Sequence, residues 1–133
     1  MPPSTPAGVP SRSIDRHRMP DVLDVGEQLA ALSRDGHDFA EFFRAPSGSL
    51  SLTIARWPAA SVDDQTPHTE DEVYYVLNGR ATLVVEDRRT DVGPGSVAFV
   101  GAGDEHRFVD ITQDLEVLVF WSPARHSNAP AAD

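Results

Sequence analysis

Two of the five histidines stand in company that can support chemistry. His68 lies in Asp64-Gln-Thr-Pro-His-Thr-Glu-Asp-Glu72, an acidic stretch immediately before a strongly apolar run. His106 follows Gly101-Ala-Gly-Asp-Glu105 and opens His106-Arg-Phe-Val109. Imidazole and carboxylate together bind metal ions and move protons near neutral pH. Taken singly, these residues read more simply, as a turn histidine beside Pro67 and a solvated acidic turn at Glu70, Asp71 and Glu72. A helical reading, with His68 and Glu72 at i and i+4 as in zinc peptidases, fails. Val73-Tyr-Tyr-Val-Leu-Asn-Gly79 is poor helix sequence and good hairpin sequence. His17 and His126 fall near the chain ends and His37 in a polar turn beside Gly36, where solvated bystanders are expected.

Composition narrows the chemistry further. The 133 residues contain no Cys, and all 11 basic residues are Arg. Thiolate nucleophiles, disulfides, iron–sulfur clusters and Cys-ligated zinc are excluded. So are Schiff bases and the lysine of phosphate-binding loops. Eleven basic against 21 acidic residues leave a formal charge of −10, so nucleic acid and anionic membranes are not expected partners. No 18-residue apolar run occurs, and the Pro-rich amino terminus lacks the apolar core of a signal peptide; a soluble cytoplasmic protein is the expectation. Gly93-Pro-Gly-Ser-Val-Ala98 formally matches a dinucleotide-binding glycine pattern, but Pro94 and the lack of a βαβ context make it a turn. No G-x-S-x-G elbow supports a serine hydrolase.

The elements that must position the two histidines are mostly strands. Residues 1–20 hold Pro2, Pro3, Pro6, Pro10 and Pro20 with almost nothing to bury, and read as a disordered tail. Residues 122–133 read as a flexible carboxy-terminal tail, leaving one domain over 21–121. Val22, Val25, Leu29 and Leu32 share a helical face, with Asp21 as N-cap and Gly36 or Asp35 as the stop. Beyond it the period becomes two. Strands are expected at 49–54, 73–77, 81–85, 96–100, 106–109 and 115–121, with Asn78-Gly79 as a hairpin turn. Arg56 falls in phase with Leu50, Leu52 and Ile54, and the strand is expected to end before it, at the Trp57-Pro58 boundary. Many short strands with Gly/Pro punctuation imply an all-β sandwich or barrel.

Residues 64–79 and 93–110 resemble the two motifs of the cupin superfamily. The first has the form G-x5-H-x-H-x3–4-E-x6-G; His68, Glu72 and Gly79 fit its second half. The second has the form G-x5-P-x-G-x2-H-x3-N; Gly95, Gly103 and His106 fit its spacing. Thr66 stands where the family has its first histidine, Gly101 replaces the proline and Asp110 the final asparagine. The glycine that opens the first motif is absent. The resemblance implies a double-stranded β-helix, a jelly-roll barrel, with a short N-terminal helix or arm.

Carried over residue by residue, the resemblance implies a metal held by His68, Glu72 and His106, with Thr66 removing the fourth ligand. Gln65 is an alternative oxygen donor where Pro67 bulges the strand, Thr66 a place for a bound water, and Glu70 a weaker candidate in the connecting turn. Two imidazoles and one carboxylate with open positions suit Fe(II), Mn(II), Ni(II), Cu(II) or Zn(II). No cofactor beyond that one divalent ion is implied. By the two-residue period, Tyr74 and Val76 accompany Glu72 inward and Phe108 accompanies His106, while Val73, Tyr75 and Leu77 face out. Tyr74 is a candidate proton carrier or substrate hydrogen-bond partner, or a plain core aromatic. The outward apolar residues require cover, and the resemblance implies a homodimer. The implied function is metal-assisted chemistry on a small oxygen-bearing metabolite, by a dioxygenase, isomerase or lyase. The alternatives are a non-catalytic small-ligand binder or sensor, with or without metal, and a barrel that has lost its metal and works mainly through dimerisation.

Overall fold

The computed structural model describes residues 22–127; the expected tail over 1–20 and the proposed N-cap Asp21 lie outside them, as do residues 128–133. One helix, α1 (Val25–Asp35), precedes six strands: β1 (Phe39–Arg44), β2 (Ser51–Trp57), β3 (Asp71–Val85), β4 (Arg88–Val92), β5 (Val97–Val100) and β6 (His106–Ser122). Asp24 caps the helix, its carboxylate accepting the Glu27 N–H at 2.9 Å. Gly36 closes it in the left-handed conformation, as expected.

All strand pairs are antiparallel, in the order β1-β2-β6-β3-β4, with β5 on β3. Two long strands build the roll. The first half of β3 pairs with β5 and the second half of β6; the second half of β3 pairs with β4 and the first half of β6. Over the described residues the chain is the all-β double-stranded β-helix with a short N-terminal helix that was expected.

Long strands replace two expected breaks, and both replacements position the site. Asn78-Gly79 is no hairpin: β3 runs through it, with register irregularities between Val76 and Thr82. Glu72, Tyr74 and Val76 face the core before this bulge, and Ala81, Leu83 and Val85 after it. One extra residue moves the inward set from even to odd positions, as a bulge must. In β6 the inward set changes from His106 and Phe108 to Leu115, Val117, Val119 and Trp121, past Asp110 at φ 50. Asp tolerates that left-handed backbone better than most residues, which explains a family Asn at this position. The actual hairpin turn is Glu86–Asp87, joining Val85 to Arg88.

β2 runs on through Arg56 to Trp57 rather than stopping before them. Its polar phase faces the pocket side, where Thr53 Oγ1 accepts the Trp121 indole N–H at 3.1 Å. The apolar phase faces out, and there Ile54, its cross-strand neighbour Leu118 and Leu32 of α1 are all buried. Arg56 shares this outer face and is paired: Nε and Nη2 donate to Glu116 Oε2 at 3.0 and 2.9 Å, and Nη2 reaches Ser33 of α1 at 3.1 Å. β1 and β4 have no counterpart among the expected strands.

The segment after Trp121 also departs from the flexible tail expected over 122–133. Ser122 ends β6, Ala124 is fully buried with its N–H on Gly48 O at 2.9 Å, and the Arg125 N–H is on Ser51 Oγ at 2.8 Å. Burial of one alanine and two backbone bonds to the β1–β2 end of the sheet hold this stretch down.

Candidate metal centre

Three elements bring the centre together. The loop over residues 58–70 carries His68, the inward phase of β3 carries Glu72, and the start of β6 carries His106. Gly103 N–H donates to His68 O at 2.7 Å and so ties the loops of the two motifs together. A ligand atom from each of His68, Glu72 and His106 falls within 4.8 Å of the others. Glu72 Oε2 lies 3.4 Å from His106 Nε2 and 3.8 Å from His68 Nε2, and it has no hydrogen-bond partner among the described residues although Glu72 is 1% exposed. Burial pushes the Glu72 carboxyl up to about 8 and pushes the His68 imidazole down to about 4, because each charged form loses water.

Gln65, named from sequence as an alternative donor, points into this cluster, whereas Thr66 is exposed. Gln65 Oε1 stands 3.1 Å from His106 Nε2 and 3.3 Å from His68 Nε2. Its orientation is locked by Asp63, which sequence reasoning missed. Asp63 is buried and accepts from Gln65 Nε2 at 2.6 Å, Gln65 N at 3.3 Å and Phe108 N at 2.8 Å. A carboxylate only accepts, so the amide nitrogen must face Asp63 and the amide oxygen must face the imidazoles. His106 Nδ1 meets Asp104 O at 2.9 Å, and a carbonyl requires the proton on Nδ1. A neutral His106 therefore turns a bare Nε2 lone pair toward the Gln65 oxygen. The amide oxygen, the Nε2 lone pair and a Glu72 oxygen converge on one point, and a cation placed between them would engage all three.

Tyr74 lines the same pocket, fully buried against Phe108, with ring centroids 5.2 Å apart. Its hydroxyl neighbours Glu72, though no hydrogen bond of good geometry joins them. Burial and the nearby carboxylate raise its pKa well above the usual value, so it is a proton donor and not a base. Glu70 is buried outside the cluster and accepts from the Thr69 hydroxyl. His37 and His126 are exposed, as expected of bystanders, and His17 lies outside the described residues.

A cavity of about 370 Å³ opens on the centre, with His68, Glu72, Gln65 and Tyr74 in its wall. Trp57, Trp121 and Phe39 form aromatic sides, and Arg125 joins them. His68 meets the Trp121 ring edge-on at 4.9 Å. Neither tryptophan nor Arg125 was singled out from sequence as a pocket residue; their approach depends on long-range pairing.

Residues 53–122 match the family model described as "Cupin domain". An uncharacterised protein of Streptomyces coelicolor, SCO3923, is 44% identical over 75 residues, covering 56% of this chain and 71% of that protein. Among solved structures, the DMSP lyase DddQ from Ruegeria pomeroyi DSS-3 superposes with a TM-score of 0.60 at 23% identity, over 70% of this chain and 48% of DddQ. The chain thus spans about half the length of that enzyme. KdgF from a Halomonas species gives a TM-score of 0.59 at 20% identity, over 65% of this chain and 78% of KdgF. These two likenesses establish shared architecture alone. With the family model spanning more than half of its length, the chain belongs to the cupin family.

Proposed function

We propose that His68, Glu72 and His106 hold one divalent transition metal, with Gln65 Oε1 as a fourth donor where the family has a histidine. The observation that carries this is the set of acceptor atoms aimed at one point: a locked amide oxygen, an imidazole lone pair and an orphaned carboxylate oxygen. Nitrogen and oxygen donors without sulfur fit Fe(II), Mn(II), Ni(II), Cu(II) or Zn(II). Such an ion, when bound, polarises a substrate oxygen or lowers the pKa of a bound water. The protein's own contributions are a pocket with aromatic sides and a Tyr74 hydroxyl that stays protonated and can donate a hydrogen bond. We read the protein as a metal-dependent cupin that takes a small oxygen-bearing metabolite.

Asp63→Ala tests the amide lock. Losing it frees the Gln65 amide to rotate and orphans the buried Phe108 N–H. Metal affinity should fall about 10- to 100-fold, and unfolding free energy by about 1–3 kcal/mol. Mn(II) titration and urea denaturation read the two effects separately; an unchanged Mn(II) affinity would reject Gln65 as a donor.

The pH dependence follows from Glu72 and His68. In the metal-free protein the Glu72 pKa is raised from 4.5 to about 8, so its contribution to stability is lost as pH rises toward 8. The His68 pKa is lowered from 6.5 to about 4, so its contribution is full above 6.5 and lost as pH falls toward 4. The two slopes oppose below 6.5, and between 6.5 and 8 Glu72 acts alone. Metal-free protein should lose stability across that window, by at most about 1.4 kcal/mol per pH unit. Metal uptake at pH 7 should release close to one proton from Glu72. Calorimetry in buffers of different ionisation enthalpy counts that proton, and zero release would contradict a buried carboxyl ligand.

We further propose a homodimer through the outer sheet face. Val97 and Phe99 of β5 are 69% and 62% exposed, and Phe99 borders an apolar groove with Leu50, Val73 and Phe120. Apolar area of this kind on a sheet seeks cover. Light scattering should give twice the chain mass, and Phe99→Asp the monomer mass; a monomeric wild type would refute the dimer.

A further inference from the structure

Arg125 is the unexplained group of the pocket. Its backbone is held at both ends: the N–H donates to Ser51 Oγ at 2.8 Å, and its carbonyl accepts Arg44 Nη2 at 2.8 Å. The guanidinium lies over Phe39, with Cζ 4.6 Å from the ring centroid, and near Trp121 at 5.5 Å. Aromatic contacts on this scale pre-organise a cation without using its N–H donors. The Arg125 Nε is buried with no hydrogen-bond partner among the described residues. Glu41, Glu70 and Glu72 act on its charge from a distance; Glu41 is bound to Arg44 at 2.8 Å, Glu70 accepts from Thr69, and Glu72 faces the two imidazoles. Arg56, which borders the cavity from the outer face of the sheet, is paired with Glu116.

A pre-organised, half-buried guanidinium with its planar donor fork unspent is a carboxylate receptor. Trp121 contacts both Arg125 and His68, so the fork and the histidine centre sit at two ends of one small cavity. We propose that Arg125 is a substrate-binding residue that selects small organic carboxylates, pairing with the carboxylate while an oxygen at the other end of the ligand reaches the His68–Glu72–His106 centre. This deepens the metal-site reading and rests on it for the second contact only; the Arg125 pairing needs no metal. The chemical class is a short carboxylic acid of a few carbons bearing a second oxygen function. An uncharged sugar or alcohol would leave the guanidinium as it is now, desolvated and unpaired.

The chain's two tryptophans, Trp57 and Trp121, both line this cavity, so intrinsic fluorescence reports its occupancy directly. The probes are glycolate, lactate, succinate and glutarate, with lactamide and succinamide as uncharged controls, titrated into metal-free and Mn(II)-loaded protein. At least one acid should bind saturably, at least tenfold more tightly than its amide. Arg125→Gln should weaken that acid at least tenfold, while Arg125→Lys retains part of the binding. Arg125→Gln should bind Mn(II) no more weakly than the wild type, since a nearby positive charge is lost, and a thermal melt confirms that each variant is folded. Equal binding of acid and amide, wild-type acid affinity in Arg125→Gln, or no acid bound by either form would overturn the assignment. Arg125-dependent acid binding by a protein that takes no Mn(II) would uphold it while refuting the metal reading.

Discussion

His106→Ala protein, reconstituted with Mn(II) or Ni(II) and dialysed, is expected to retain essentially no metal while the wild type keeps close to one ion per chain. His106 contributes the one imidazole whose tautomer is set, since Nδ1 is committed to Asp104 O at 2.9 Å and Nε2 faces the centre. Its removal leaves Glu72 and Gln65 with one imidazole partner. Losing a second-sphere partner of a metal ligand typically costs 10- to 100-fold in affinity, and losing a ligand itself should exceed about 100-fold. The substitution also leaves a cavity beside Tyr74 and Phe108, which should cost about 1–3 kcal/mol without abolishing the fold. Elemental analysis after dialysis and a urea melt separate these effects. Retention of metal by a folded His106→Ala variant would remove His106 from the site.

Gly79→Ala should produce the largest stability loss of any single methyl added to the chain's described glycines. Gly79 sits at φ 93 in the β3 bulge, and a Cβ there would lie 2.2 Å from Asp114 O and 2.7 Å from Leu115 Cα. Both contacts are backbone of β6, so neither moves without breaking the pairing of the two long strands. Strained φ and overpacking together should cost about 4 kcal/mol or more, against a total stability of about 5–15 kcal/mol for an ordinary domain. Gly48→Ala is the control: its φ is 79, but nothing lies within 4 Å of the added carbon, so only about 1 kcal/mol should be lost. Urea denaturation of the pair gives the difference. Equal stability of the two variants would show that the bulge does not need glycine.

The two substitutions probe what could and could not be read from residue order. His68, Glu72 and His106 were legible because motif spacing encodes which residues face inward, and the phase Glu72-Tyr74-Val76 held as far as the bulge. Asn78-Gly79 was misassigned for a physical reason: a tight hairpin and a bulge both demand positive φ, and local sequence does not distinguish them. β4 escaped notice because Arg88-Arg-Thr-Asp-Val carries four exposed residues at a sheet edge, where pairing rather than hydropathy makes the strand. Arg56 looked misplaced until its cross-strand partner Glu116, 60 residues on, was in view. Asp63 and Arg125 were invisible for the same cause, since their anchoring bonds reach 45 and 74 residues along the chain. Gln65 rather than Thr66 points into the centre because Asp63 holds it there, and no count of spacings contains that bond.

The most direct test is an anomalous difference map from crystals of the untagged protein soaked in Mn(II). A single strong peak is expected between the His68, Glu72 and His106 side chains, within bonding reach of both imidazole Nε2 atoms, a Glu72 oxygen and Gln65 Oε1. A map with no peak at that point, or with its only peak elsewhere on the molecule, would contradict the account.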